Sequence, residues 1–244
     1  MNIDRIDNID FNNLVSLLND TSIVFVFNFL DFSHYLPVLY DRYLTCDDKT
    51  RLDKLIIEKK RSDFIVSRCV LRLILSKLLS CDLKDIKFFF NQNGKPFLLD
   101  NSIYFNLSHC SDFCVIAIDK SNEIGIDIQK PKLNANVQLI AKRFFCKNDY
   151  EWLLSRPIHE QETVFYRLWT AKEAACKALG AKLWSCFGKF CVASSKDKFS
   201  LHLEHSSFLE HSVNLNLVYL NLISDYFSCF AIQNKFQAVK VVRI

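Results

Sequence analysis

An α+β fold in two halves of similar plan is what this sequence predicts, on three observations. A long stretch with a helical apolar face is followed by short strands. The strands succeed one another directly, without the intervening helices of a parallel βαβ sheet. The same order of helix and strands then recurs in the second half. The size agrees: 244 residues, 50% hydrophobic and 22 of them Phe, can bury a sizeable core, while 4 Gly and 4 Pro leave no room for a flexible linker.

The elements follow in order. The start, MNIDRIDNIDFNNL, is acidic and broken by Asn, unlike a secretory signal. The apolar runs SIVFVFNFL and CVLRLILSKLL are too short or too charged to cross a bilayer. A soluble, cytoplasmic protein is therefore expected. Residues 51–80 read as one long helix or two abutting ones, with Phe64, Ile65, Val70, Leu71, Ile74, Leu75, Leu78 and Leu79 as the core face. Lys59, Lys60, Arg61, Arg68 and Arg72 lie around the other sides, where solvated or snorkelling cations are expected.

From residue 86 to 129 the period changes to two: IKFFF, the turn NQNG, KPFLL, YFNLS, FCVIAID and IGIDIQ, with KSNE as a hairpin connection between the last two. Residues 137–155 and 160–182 read as helices, and VNLNLVYLNL, YFSCFAIQ and AVKVVRI as strands. DFCVIAID in the first half is similar to DYFSCFAIQ in the second, which suggests two related subdomains, 1–119 and 120–244.

Several function classes drop out. No G-x-G-x-x-G and no G-x-x-x-x-G-K-[ST] occurs, so dinucleotide and P-loop folds are excluded. A net charge of +4, from 31 basic and 27 acidic residues, is too mild for a nucleic-acid binder but suits an anionic ligand or an acidic partner. Ten cysteines include no C-x-x-C, and His202-Leu-Glu-His205 lacks a matching cysteine pair, so structural zinc is not expected. Free thiols serving as small apolar fillers are expected instead.

Three short stretches carry chemistry. In IGIDIQ, alternation puts Ile124, Ile126 and Ile128 on one face and Gly125, Asp127 and Gln129 on the other. That second face is either an exposed strand surface or a site for a hard cation, since Mg²⁺ takes carboxylate oxygens and shares them with phosphates. Gly125 would let another backbone or a ligand come close. Ser108 and His109 close the strand FNLSHC, where a hydroxyl and an imidazole can bind phosphate, and the bend NGKP presents Lys95. In YRLWTAKEAACKALG, Leu168, Ala171, Ala175, Ala178 and Leu179 bury a helix that Gly180 caps. Trp169, Glu173 and Lys177 fall on another stripe, about 40° apart per step of four. A carboxylate one turn from an ammonium is either a surface ion pair or a metal ligand and base beside a phosphate neutraliser.

Together these pieces resemble the Sfp-type 4′-phosphopantetheinyl transferases: Gly94-Lys95-Pro96, then FNLSH, GIDIQ for the family's G-x-D-x-E, KRFF…DYEWL, and WTAKEAACKALG for W-x-x-K-E-A-x-x-K-x-x-G. The fit is closest to the branch acting on aminoadipate-type and fatty-acid carrier domains, in which FYR precedes the tryptophan, as in Phe165-Tyr166-Arg167. The resemblance implies two α+β subdomains related by a pseudo-twofold, with coenzyme A in the cleft between them. It implies a monomer that moves phosphopantetheine from coenzyme A to a serine of an acyl or peptidyl carrier protein, releasing adenosine 3′,5′-bisphosphate, with no nucleic acid or membrane involved. Asp127 and Glu173 match the Mg²⁺ ligands, with Gln129 at most an outer partner. Glu173 would act as, or position, the base, and Lys177 would stabilise the diphosphate. Gly94, Lys95, Pro96, Ser108 and His109 match coenzyme-A-contacting positions, the cluster from Lys59 to Arg61 would meet the 3′-phosphate, and Lys172 has no assigned role. A rival of another class is a non-catalytic coenzyme A or carrier binder on the same fold, which Gln129 favours.

Overall fold

The computed structural model describes residues 6–100, 102–182, 187–195, 198–202, 215–234, 236 and 238–244. Its first half contains α1 (Phe11–Leu17), β1 (Ser22–Asn28), α2 (Leu36–Tyr43), α3 (Cys46–Leu52), α4 (Glu58–Leu79), β2 (Phe89–Phe90), β3 (Pro96–Phe97), β4 (Tyr104–Cys110) and β5 (Phe113–Asp119). The second contains β6 (Ile124–Gln129), α5 (Val137–Phe144), α6 (Lys147–Leu154), α7 (Ile158–Ala178), β7 (Cys191–Ser195), β8 (Lys198–His202), β9 (Leu215–Tyr219), β10 (Phe227–Gln233) and β11 (Val239–Arg243). His205 and the start of VNLNLVYLNL lie outside the described residues. None of the described helices is long and apolar enough to cross a membrane.

Strand alternation stacks these elements into four layers. On one sheet, Ile23, Phe25, Phe27, Cys114, Ile116 and Ile118 face α4. The opposite faces of the same strands, Val24, Val26, Val115 and Ala117, meet Ile124, Ile126, Ile128, Phe230 and Ile232 of the other sheet. That second sheet turns Leu215, Leu217, Cys229 and Ala231 toward Leu168, Ala171, Ala174, Ala175 and Ala178 of α7. Strands buried on both faces are apolar throughout, which is why SIVFVFN reads as an uninterrupted run.

The strand orders are β11-β1-β5-β4 and β6-β10-β9-β8-β7, with β2-β3 a separate hairpin. KSNE is therefore not a hairpin connection: β5 and β6 belong to different sheets. The carboxylate of Asp119 redirects the chain there, accepting from the amides of Ser121 and Asn122 at 2.8 Å each and from Ser22 Oγ at 2.6 Å. Strand β11 pairs in parallel with β1, so the end of the chain returns to the first sheet.

The stretch 51–80 is two helices. Thr45 and Asp48 form a capping box at the start of α3, and Arg61 Nη1 closes its end by donating to Leu52 O at 2.8 Å and Leu55 O at 3.1 Å. Arg68 and Arg72 are not solvated. They are 8% and 2% exposed because the buried Asp48 grips both, at 3.3 Å and 2.6 Å. Residues 137–155 likewise break into α5 and α6 around Phe145 and Cys146. The thiols are not all free: Cys146 and Cys191, with Cα atoms 5.9 Å apart, form a disulfide across 45 residues, a pairing that no local spacing announces.

Candidate active site at the seam of the two sheets

Strands β4 and β6 are the facing edges of the two sheets, and side chains rather than a backbone ladder join them. Ile126 N donates to Asn106 Oδ1 at 2.9 Å, and Ser108 Oγ donates to Asp127 Oδ1 at 2.8 Å. An edge strand must satisfy its outward backbone groups somehow. Here the carbonyl of Ile126 accepts from Lys177 Nζ at 3.1 Å and that of Ile124 from Lys95 Nζ at 3.2 Å.

Gly125 sets how closely α7 covers that seam. A Cβ there would stand 2.0 Å from Ala174 O and 2.5 Å from Ala178 N, so only glycine admits this approach of helix backbone to strand. The close contact puts the polar face of β6 against the Trp169–Glu173–Lys177 stripe. Asp127, 1% exposed, accepts from Lys177 Nζ at 2.6 Å on Oδ1 and from Gln129 Nε2 at 3.1 Å on Oδ2. Lys177 also donates to Ser108 Oγ at 2.9 Å and stands 3.8 Å from Glu173 Oε2. Trp169 Nε1 holds Glu173 Oε1 at 2.6 Å.

A fully buried carboxylate and a mostly buried one thus share one ammonium. Burial, and then the charge of Asp127, push the Glu173 carboxyl up to about 8 against the pull of Lys177. A second positive charge would relieve this, and a donor set of carboxylate oxygens suits a hard divalent cation such as Mg²⁺.

The other expected residues divide. His109 faces away from Ser108, as strand neighbours must. Its ring lies 5.9 Å from Phe29, which also has Lys59 Nζ 5.7 Å from its centroid. The strand does not end at this pair but runs on to Cys110. Lys59 also reaches Asp63 at 3.3 Å and Asp112 at 3.5 Å. Arg61 points to the end of α3 instead. The hairpin carrying Gly94, Lys95 and Pro96 caps α7: Asn91 and Asn93 donate to Gly180 O at 3.0 Å and 2.8 Å, and Lys95 to Ala178 O at 3.2 Å. Lys95 is mostly buried and paired with Glu123 at 2.5 Å, so its ammonium joins strand to helix.

Two groups went unread in the sequence. Lys172, 0% exposed, pins the chain beyond α7 by donating to Phe187 O at 3.0 Å and Phe190 O at 2.6 Å, and pairs with Asp149 at 2.7 Å. A cavity of about 920 Å³ opens beside the hairpin, lined by Arg51, Lys54, Arg72, Lys84, Lys87 and Phe88 to Phe90. Arg51 stacks 3.4 Å over the Phe90 ring there. The run FFF between lysines was the available signal.

Comparison with known proteins matches the chain on both sides of the seam. A family model described as the 4′-phosphopantetheinyl transferase superfamily matches residues 123–226, and one described as 4′-phosphopantetheinyl transferase, N-terminal, matches residues 38–121. The chain is 32% identical over 174 residues to the 4′-phosphopantetheinyl transferase Sfp of Bacillus subtilis, covering 66% of this chain and 76% of that protein. It belongs to the 4′-phosphopantetheinyl transferase superfamily. The transferase HetI of Nostoc is 34% identical over 141 residues, 56% of this chain and 60% of HetI. The L-aminoadipate-semialdehyde dehydrogenase-phosphopantetheinyl transferase of Mus musculus is 28% identical over 156 residues, 58% of this chain and 50% of the mouse protein. The chain spans 58–60% of the length of HetI and of several other transferases of the superfamily that it matches.

Proposed function

We propose that this protein transfers the 4′-phosphopantetheine group of coenzyme A to a serine of an acyl or peptidyl carrier protein, releasing adenosine 3′,5′-bisphosphate. The observation that carries this reading is the convergence of Asp127, Glu173 and Lys177 on one seam, in a chain of this superfamily. Asp127 and Glu173 would hold Mg²⁺, with Gln129 beside them as an outer partner. The ion would supply the charge that neutralises the pyrophosphate. Lys177, already within reach of both carboxylates, would neutralise the departing bisphosphate. Glu173, poised by burial near neutral pH, would take or direct the proton of the carrier serine. Phosphoryl chemistry of this kind asks mainly for positioning and charge.

The two halves, 1–119 and 120–244, would be related by a pseudo-twofold, with coenzyme A in the cleft between them. Ser108 on the seam face of β4, and His109 with Lys59 on its opposite face, would supply phosphate contacts. The cavity over Arg51 and Phe90 suits the nucleotide end, since a guanidinium–aromatic wall accepts both a base and a phosphate. A cytoplasmic monomer acting on a separate carrier fits the reading. The non-catalytic alternative rests on Gln129, and the intact Asp127, Glu173 and Lys177 speak against it.

The test is to mix the protein with coenzyme A, Mg²⁺ and an apo carrier protein, then weigh the carrier. Addition of phosphopantetheine to one serine, abolished by a magnesium chelator, is expected. An unmodified carrier across acyl and peptidyl types, with coenzyme A bound, would return the non-catalytic reading.

A further inference from the structure

The link between Cys146 and Cys191 stands directly behind the stripe that holds Glu173. Cys146 is the residue before α6, Cys191 opens β7, and both are half-buried, so a small reagent can reach them. Two routes lead from the pair to α7. Phe145, next to Cys146, lies 6.3 Å from the Trp169 ring and 6.1 Å from that of Phe187, which is itself 4.8 Å from Trp169. Asp149 accepts from the amide of Val192, next to Cys191, at 3.0 Å, and pairs with Lys172 of α7. Trp169 in turn holds Glu173. The bridge therefore ties α6, β7 and the catalytic helix into one packed unit.

We propose that Cys146 and Cys191 are a reversible redox site, a clamp whose closed form stiffens the Trp169–Glu173 contact and whose opening loosens it. Closing removes two electrons and two protons from the thiols and delivers them to a small-molecule disulfide, which leaves as two thiols; a dithiol reductant reverses the exchange. A metal ion is the competing occupant, because the sulfurs and an Asp149 oxygen lie within 4.8 Å of one another. It is disfavoured, since Asp149 is already bound by Lys172 and the Val192 amide, and a divalent ion would be set against a buried ammonium. The effect on transfer rate rests on the proposed function; the clamp itself does not.

The experiment compares protein treated with glutathione disulfide and with dithiothreitol. Alkylation and peptide mass mapping should show Cys146 and Cys191 blocked in the first and labelled in the second. The oxidised form should melt about 5–10 °C higher, from the chain constraint of a loop this long. Hydrogen exchange in residues 165–177 should accelerate on reduction, and transfer to an apo carrier should fall by about two- to tenfold. The double variant Cys146→Ser, Cys191→Ser should behave as the reduced protein under either reagent. Labelling of both thiols after oxidation, stoichiometric bound metal, or identical melting and exchange in the two states would overturn the proposal. Absence of transfer in both states, with the melting and exchange shifts intact, would support the clamp and sink the proposed function instead.

Discussion

One carboxylate, Asp48 of α3, lies between two guanidiniums of α4, whereas one ammonium, Lys177 of α7, lies between two carboxylates. Both clusters are largely buried, and each mixes one charge of one sign with two of the other. The first carries an excess of positive charge, with Arg68 Nη1 and Arg72 Nε unpartnered, and Arg72 and Asp48 line the 920 Å³ cavity. The second carries an excess of negative charge, which adds to burial in raising the Glu173 pKa. Burial penalises uncompensated charge, so each excess marks a place where a ligand of opposite charge would be welcome. The difference between the two is what holds the fold. Asp48 alone separates Arg68 from Arg72, whereas Lys177 keeps a carboxylate partner if either acid is lost.

The largest expected effect breaks the comparison at Asp127. Asp127→Asn keeps the shape and leaves Lys177 paired with Glu173, so the thermal midpoint should stay near wild type. Transfer should drop by about 10³-fold or more, from loss of a metal-binding charge worth several kcal/mol. Steady-state transfer assays read this, and a rate within tenfold of wild type would remove Asp127 from the site.

Asp48→Asn should do the opposite. It leaves two buried guanidiniums facing each other and should cost about 3–5 kcal/mol of stability, read as the urea midpoint. Transfer by the fraction still folded should remain within a few-fold of wild type. A variant of wild-type stability would mean that solvent or another group already neutralises Arg68 and Arg72.

These two clusters also show what a sequence reveals. The Trp169–Glu173–Lys177 stripe and the alternation of IGIDIQ were legible because helix and strand periods are local geometry. Gly125 was legible as a close-approach residue for the same reason. Arg68 and Arg72 were misread as solvated, and the contacts of Arg61 and Lys95 went unseen, because the partner of a long cationic side chain is set by tertiary contacts such as Asp48 and Ala178 O. KSNE looked like a hairpin since nothing within four residues tells whether two consecutive strands share a sheet. The Cys146–Cys191 bridge and the β1–β11 pairing depend on distant chain in the same way.

A smaller effect is expected at the contact that brings α7 onto β6. Gly125→Ala places a Cβ against two backbone atoms of the helix, so the layers must part. A loss of about 1–3 kcal/mol is expected, with a fall in transfer larger than in coenzyme A binding, because the Asp127–Lys177 contact opens. Equal stability by thermal melting would mean that the helix shifts freely there. Gly94→Ala is the control: its φ of 88° is strained for alanine, but nothing lies within 4 Å of the added carbon.

The burial of Glu173 beside Asp127 should also be visible in metal-free protein as a pH slope. Folding raises the Glu173 pKa to about 8 from an ordinary value of 4.5. Between those values the folded protein holds a proton that the unfolded chain has lost. The contribution is therefore fully present below about pH 4.5 and is lost as pH rises toward 8. The wild-type melting temperature should fall over that window relative to Glu173→Gln, and saturating Mg²⁺ should flatten the difference by favouring the charged carboxylate. Parallel wild-type and Glu173→Gln profiles would show that Glu173 is ionised throughout.

The smallest effect belongs to Gln129, where the family's acid is replaced by an amide. Its Nε2 donates to Asp127 Oδ2, so in this structure the side chain supports the proposed ligand and adds no charge. An amide oxygen is a weaker partner for Mg²⁺ than a carboxylate, and magnesium readily keeps water in place of a protein ligand. Gln129→Ala should therefore remain active, with the Mg²⁺ concentration for half-maximal transfer rising by about two- to fivefold as Asp127 loses one orienting donor. Gln129→Glu should lower that concentration, since a third carboxylate deepens the negative excess that the ion offsets. It should also destabilise the metal-free protein slightly, because the added charge faces Asp127 without a new cation. Transfer rates against Mg²⁺ for both variants, beside Asp127→Asn, decide the matter. If Gln129→Ala is as inactive as Asp127→Asn, the amide touches the ion or the substrate directly, and the contrast between one neutral and two charged partners at this seam has to be redrawn.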